Sequence, residues 1–134
     1  YQTGDQAYLK VFNHILVPII QQYKPQFILV STGFDGHYTD PVASLSLSSS
    51  TYLKIFRKVL NLAAKFCARR TVAVLEGGYN LSYLGKMATG IIGRMAGISY
   101  TIQEKHPVTA PEIQRQAEKT IEKVKRTQTS FWDL

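Results

Sequence analysis

Acidic residues are scarce through most of this sequence. Residues 1–103 hold four, Asp5, Asp35, Asp40 and Glu76, against ten Lys and Arg. Three of the four fall in two polar loops, which is not the distribution of scattered solvating charge. Cysteine occurs once, at Cys67. No disulfide can close within the chain, and a cytoplasmic location is the expectation that follows. Cys67 lies on the apolar side of a predicted helix, where it reads as a small buried hydrophobe and not as a reactive thiol. With no run of about 18 apolar residues, no membrane-spanning helix is expected. A secretory leader is not visible, and the opening Tyr1-Gln2-Thr3-Gly4-Asp5 reads like the interior of a longer protein. The phosphate-cradling patterns Gly-x-Gly-x-x-Gly and Gly-x-x-x-x-Gly-Lys-Ser/Thr are missing, which weakens a nucleotide-binding reading. No two of the three histidines are adjacent.

What is present suits one globular domain or part of one: 134 residues, 45% hydrophobic and 19% charged. The net charge of +7 would favour anionic partners. Its cations Lys54, Arg57, Lys58, Lys65, Arg69 and Arg70, however, mark the solvated side of one predicted helix. No aromatic-and-basic motif accompanies them, so no specific nucleic-acid partner is expected.

Hydrophobic periodicity predicts a helix over 5–22, capped by Asp5 and disturbed at Pro18. A short apolar run, 26–31, predicts a buried strand. The stretch 32–48 is long for a connection, and Leu45 and Leu47 are expected to pin it as an ordered, functional loop. A helix over 50–68 with Ser50 as cap, a buried strand over 71–75 and a helix over 81–96 capped by Asn80 follow. Leu81, Leu84, Ala88, Ile91 and Met95 are expected on the inward side of that last helix. Residues 97–108 form a connector. Thr109-Ala110-Pro111-Glu112 resembles a capping box opening a helix over 110–127, with Phe131 and Trp132 anchoring the end. The predicted organisation is a main portion, 1–97, and a connector with a terminal helix packing on it, 98–134.

Strand, helix, strand in that order implies a parallel pair. Ligands of open α/β sheets bind at the carboxyl ends of strands, and both polar loops leave such ends. This predicts that Asp40 and Tyr79 meet. Two strands are fewer than the usual four to six or so, so further strands are expected from other chain or from a partner.

Asp35, His37 and Asp40 are hard or borderline metal donors. A catalytic zinc takes three protein ligands and keeps one position open. Three donors in one loop leave little to orient them, so Asp40 with ligands from another segment is favoured over a self-contained Asp35/His37/Asp40 site. Asp35 also reads as a carboxylate serving loop amides, and His37 as a loop hydrogen-bonding residue or pocket wall. Gly77-Gly78-Tyr79 gives a tight backbone path and then a phenol. The phenol is either packed in a plain turn or offered as a neutral donor to a developing oxyanion. Neither His14 nor His106 has the setting of a base.

Taken together, Gly33-Phe34-Asp35-Gly36-His37-x-x-Asp40-Pro41 and Leu75-Glu76-Gly77-Gly78-Tyr79-Asn80-Leu81 resemble the C-terminal part of the histone deacetylase superfamily. Gly4-Asp5-x-x-Tyr8 and Lys24-Pro25 fit as well, so the resemblance covers about residues 3–97. That superfamily includes bacterial and archaeal deacetylase-like enzymes and acetylpolyamine amidohydrolases. The resemblance implies an incomplete arginase-like, three-layer α/β fold with parallel strands flanked by helices. It also implies zinc-dependent amide hydrolysis of acetyl-lysine or acetylpolyamine-type substrates. By motif position Asp40 is similar to an aspartate ligand of the zinc, and Tyr79 to the phenol that stabilises the tetrahedral intermediate. Gly77 and Gly78 are similar to glycines lining the acyl channel; Asp35 and His37 fall in the supporting loop. The family's Asp-x-His ligand segment and its adjacent histidines lie upstream and have no counterpart here. The zinc site is therefore expected to be incomplete and the chain inactive alone, its partner being the missing N-terminal part of the domain or a second chain. A non-catalytic binding module reusing the fold is the alternative.

Overall fold

Pro18 sits in the middle of the first helical run, and it does not end it. In the computed structural model, which describes residues 2–42 and 44–134, the run is continuous. It consists of α1 (Asp5–Val11), a wide π turn (Phe12–Leu16) and α2 (Val17–Tyr23). Proline has no N–H to return to the carbonyl of His14, and its ring crowds that carbonyl. The chain widens the turn just before it, so that Val17 N–H bonds back to Phe12. Asp5 does not cap this helix, contrary to expectation. Gly4 holds the cap position without a side-chain bond. The Asp5 carboxylate instead accepts from Ser48 N–H (2.8 Å) and Ser48 Oγ (2.7 Å), fastening the start of α1 to a distant loop.

The remaining elements are β1 (Ile28–Thr32), α3 (Ser49–Phe66), β2 (Thr71–Leu75), α4 (Leu81–Met95) and α5 (Pro111–Gln128). β1 and β2 pair in parallel, from Ile28 opposite Thr71 to Thr32 opposite Leu75, with α3 as the crossover. Val30 and Ala73 point onto a core of Phe34, Leu53, Phe56, Met87, Ile91 and Ile102. Ile28 and Val30 also meet a second cluster of Phe12, Val59 and Leu62. The opposite face of the sheet is bare: Leu29, Val72 and Val74 are 74%, 43% and 54% exposed. Sequence reasoning expected both strands to be buried. The described helices cover one face only, and the alternating strand pattern leaves the other side chains outside.

Ser48, not Ser50, caps α3, accepting from Thr51 N–H. Cys67 is fully buried, its thiol directed at the Pro25 carbonyl (3.1 Å). Asn80 caps α4 as expected, with its side chain accepting from Ser82 N–H (3.0 Å). Leu84, Ala88 and Ile91 of α4 face the core as expected, joined by Met87 and Gly90, whereas Leu81 and Met95 at the helix ends are 82% and 47% exposed. A Cβ at Gly90 would lie 2.7 Å from Leu53 Cδ2. The helices close up at the point where α4 has no side chain.

Ala110 holds the N-cap of α5 without a side-chain bond, so the expected capping box does not form. α5 lies on α1, with Ile121 and Ala117 against Ala7 and Ile15. Phe131 does not anchor the end; it is 75% exposed. Leu134 packs there instead, and the Gln22 side chain donates to Asp133 C=O (2.8 Å) and accepts from its N–H (3.0 Å). Among the described residues no helix is long and apolar enough to cross a membrane.

Candidate functional site

The β1–β2 ladder continues past both strands. Glu76 N–H donates to Thr32 C=O (3.2 Å) and Phe34 N–H to Gly77 C=O (2.8 Å). Two chain segments leaving the sheet are thereby held side by side. Phe34 drops its ring into the core, 1% exposed, edge-on to Tyr52. Asp35 stands against two glycines: a Cβ at Gly33 or Gly77 would lie 2.6 or 2.7 Å from its Oδ1. Gly78 has φ +133°, and a Cβ there would press Leu84 and Phe34 at 3.1 Å each. Side chains are therefore excluded from Gly77 by space and from Gly78 by backbone conformation as well.

The loop after β1 is ordered by its own backbone. His37 N–H bonds to Phe34 C=O (3.1 Å) and Asp40 N–H to His37 C=O (2.8 Å). Tyr38 N–H donates to Leu47 C=O (2.9 Å) and Leu47 N–H to Gly36 C=O (3.1 Å), while Ser46 N–H reaches Thr3 (3.0 Å). Leu47 is buried beneath it. Ala43, within the same loop, lies outside the described residues.

These two segments bring Asp40 and Tyr79 together, 39 positions apart in sequence. Asp40 Oδ2 accepts the Tyr79 backbone N–H at 2.7 Å, and Oδ1 accepts Val42 N–H at 2.9 Å. The contact to Tyr79 is through its amide; Tyr79 itself is 56% exposed. His37 lies beneath this rim. It is fully buried, hydrogen-bonded to Thr39 (2.8 Å), Glu104 (2.9 Å) and Ser49 (3.0 Å). Among the described residues no three of His, Cys, Asp and Glu converge as a metal-binding group. Two grooves, of about 410 and 510 Å³, are lined in part by Tyr8, Val11 and Ile121 and by Tyr38, Val108 and Ile113. Neither includes Asp40, Gly77, Gly78 or Tyr79.

Sequence reasoning missed Thr39, Ser49 and Glu104. One signal was available: Glu104 is the only acid between Glu76 and Glu112, an isolated carboxylate in a connector with no helical face to solvate.

Two phenols near the site are held in their protonated form. Tyr38 is pushed up to about 12, first by burial, then by its hydrogen bond to Tyr83 and the neighbouring Tyr83 and Glu104 charges. Tyr52 is raised further, mainly by burial and secondarily by Tyr8 and Asp35, with a backbone bond at Gly36 partly opposing. Above about pH 10 the unfolded chain loses these protons before the folded chain does, so stability falls as pH rises toward 12 and beyond. A tyrosinate absorbance titration of the Tyr52→Phe variant should lack a late-ionising phenol; loss of one that titrates in the ordinary range would contradict this placement.

Residues 1–95 match the family model of the histone deacetylase domain. A probable deacetylase of Archaeoglobus fulgidus is 37% identical over 97% of this chain and 39% of its own length. Histone deacetylase 14, chloroplastic, of Arabidopsis thaliana is 45% identical over 61% of the chain and 19% of its own length. Among solved structures, the HDA15 HD domain superposes with TM-score 0.77 at 27% identity, covering 97% of this chain and 32% of that one. The histone deacetylase Clr3 gives 0.78 at 25% identity, covering 97% and 20%. The chain thus spans 19–39% of the length of these relatives. The matched region contains both loops and both strands in one α/β arginase-like arrangement, and the chain belongs to the histone deacetylase family.

Proposed function

We propose that this chain is the C-terminal portion of the catalytic domain of a zinc-dependent deacetylase, acting on an acetyl-lysine or acetylpolyamine-type amide. The observation that carries the reading is the 2.7 Å bond from Tyr79 N–H to Asp40 Oδ2. It puts a hard oxygen donor and a solvent-facing phenol at one sheet edge, the place where open α/β sheets hold ligands.

The chain's own donors do not make a zinc site. Asp40 is a suitable ligand by its chemistry, but no second and third donor converge with it among the described residues. The remaining ligands and the acid/base groups belong to a segment outside this chain, the N-terminal part of the domain. Two strands with one bare face fit a position inside a larger sheet with helices on both sides. The residues present supply the rest of the edge. The Tyr79 hydroxyl donates to an oxyanion as it forms on the amide carbon. Gly77 and Gly78 carry the backbone tightly past Asp35, Phe34 and Leu84 and set where Tyr79 leaves the strand end.

Asp40→Asn replaces one carboxylate oxygen by an NH2 donor and removes the negative charge. In the assembled domain this variant should bind zinc at least roughly tenfold more weakly, since even outer-sphere changes cost that much. Metal analysis after dialysis measures it, and a full zinc complement in the variant would remove Asp40 from the ligand set.

A further inference from the structure

Beneath the Asp40–Tyr79 edge runs a chain of hydrogen bonds that ends on a carboxylate from neither loop. Glu104 lies in the connector between α4 and α5, and its side chain is 1% exposed; that of His37 is 0% exposed. Glu104 Oε2 faces His37 Nε2 (2.9 Å) and accepts from Ser49 Oγ (3.0 Å), while Oε1 accepts from Ser50 N–H (3.2 Å). On the far side of the ring the Thr39 N–H is aimed at Nδ1 over a long 3.4 Å. A backbone N–H can only donate, so Nδ1 is the accepting nitrogen and Nε2 carries its hydrogen toward Glu104. The Thr39 hydroxyl then donates to Nδ1 (2.8 Å) and accepts from Asn80 Nδ2 (2.7 Å), which also reaches the Thr39 carbonyl (3.1 Å). Asn80 Oδ1 is taken in turn by Ser82 N–H at the start of α4. Every bond runs in one donor direction, with Glu104 at the accepting end.

The two side chains at the near end of this sequence flank the edge residues: Thr39 precedes Asp40, and Asn80 follows Tyr79. One loop is thereby tied to the other from below, as the Asp40 carboxylate ties them at the rim. The His37 ring is held between the rings of Tyr38 and Tyr83, each with its centroid 4.6 Å away, so it cannot swing to a substitute partner. A carboxylate taken out of water is costly unless fully bonded, and the hydrogen-bond partners of Glu104, His37, Ser49 and Ser50, belong to the loop and to the start of α3.

We propose that Glu104 is a positioning residue for the Asp40–Tyr79 edge, acting through His37, Thr39 and Asn80. This rests on the reading of Asp40 and Tyr79 as the reacting edge. Glu104 touches neither of them; it fixes which nitrogen of His37 donates, hence which way Thr39 and Asn80 point. Gln in its place offers one accepting oxygen for groups that now approach two, and presents an NH2 donor to the rest.

Residue-resolved amide exchange of the intact chain tests this. In Glu104→Gln the amides of Tyr79 and Val42, both bonded to Asp40, should exchange roughly tenfold faster or more, the scale of losing a charge-assisted bond. The amides of Phe56 and Val59 in α3 should keep their protection. Thr39→Val should produce the same local acceleration, and the double variant should add nothing further. Unchanged Tyr79 and Val42 amides, or uniform acceleration that includes α3, would overturn the proposal. If Glu104→Gln does not fold, Thr39→Val decides alone, because it leaves the buried Glu104–His37 pair intact: no local acceleration refutes the coupling. Zinc and turnover play no part in this measurement. A failed deacetylase assay therefore leaves the coupling standing, and a failed exchange test leaves the deacetylase reading standing.

Discussion

Tyr79→Phe should leave zinc bound in the assembled domain and lower turnover by about 10²–10³-fold, the usual effect of deleting one oxyanion donor. The substitution removes a single hydroxyl. The ring remains, and so does the Tyr79 N–H bond to Asp40, which belongs to the backbone. Exposure of 56% means that no core contact is lost with the oxygen. The deficit therefore belongs in kcat, because the bond is made only as negative charge develops, and KM should move little. Steady-state kinetics on an acetyl-lysine peptide and an acetylpolyamine, with zinc content measured in parallel, provide the check. Normal turnover in the variant would strip Tyr79 of this role. Loss of zinc together with turnover would point to a loop defect in its place.

Phe34→Ala should destabilise the chain by about 3–5 kcal/mol, the range for truncating a buried Phe to Ala. The ring is 1% exposed and stands in the main cluster with Leu53, Phe56 and Met87. Little can close the resulting hole, because the neighbouring Gly78, where an added Cβ would lie 3.1 Å from Phe34 Cβ, is held in a backbone conformation only glycine tolerates easily. Since small domains are stable by roughly 5–15 kcal/mol, the loss would take much of the total. Urea unfolding with an unchanged slope should read it out, and a shift under about 1 kcal/mol would show that Phe34 does not anchor the loop. Phe34→Leu, which refills most of the volume, should recover most of the loss.

Features encoded by near neighbours were legible in the sequence. β2 is a short apolar run with three β-branched residues, Thr71, Val72 and Val74, ending at Glu-Gly-Gly, and Asn80 bonds two residues ahead, so both could be read locally. The convergence of Asp40 and Tyr79 followed from topology, because two consecutive parallel strands must end at one edge. Asp5 was misread because its true partner, Ser48, is 43 positions away and competes with the helix end that its sequence position suggests. The middle of the inward face of α4, Leu84, Ala88 and Ile91, was legible from its spacing; Leu81 and Met95 share the stripe but lie at the helix ends, where the core no longer reaches. Burial of both strand faces was read from composition alone, and composition cannot say how many helices lie against a sheet. Glu104 was missed for want of any periodicity around it, its isolation as an acid being the one clue and its partner His37 lying 67 positions away.

Glu104 also bears on where the protein can be cut. The match to the family model stops at residue 95, and an expression boundary drawn there would look natural. It would also amputate the acceptor on which a fully enclosed imidazole depends, leaving that nitrogen's hydrogen without its ionic counterpart at a cost of about 1–3 kcal/mol. The folded unit is thus longer than the stretch the family model matches, and its tail is bonded into the head.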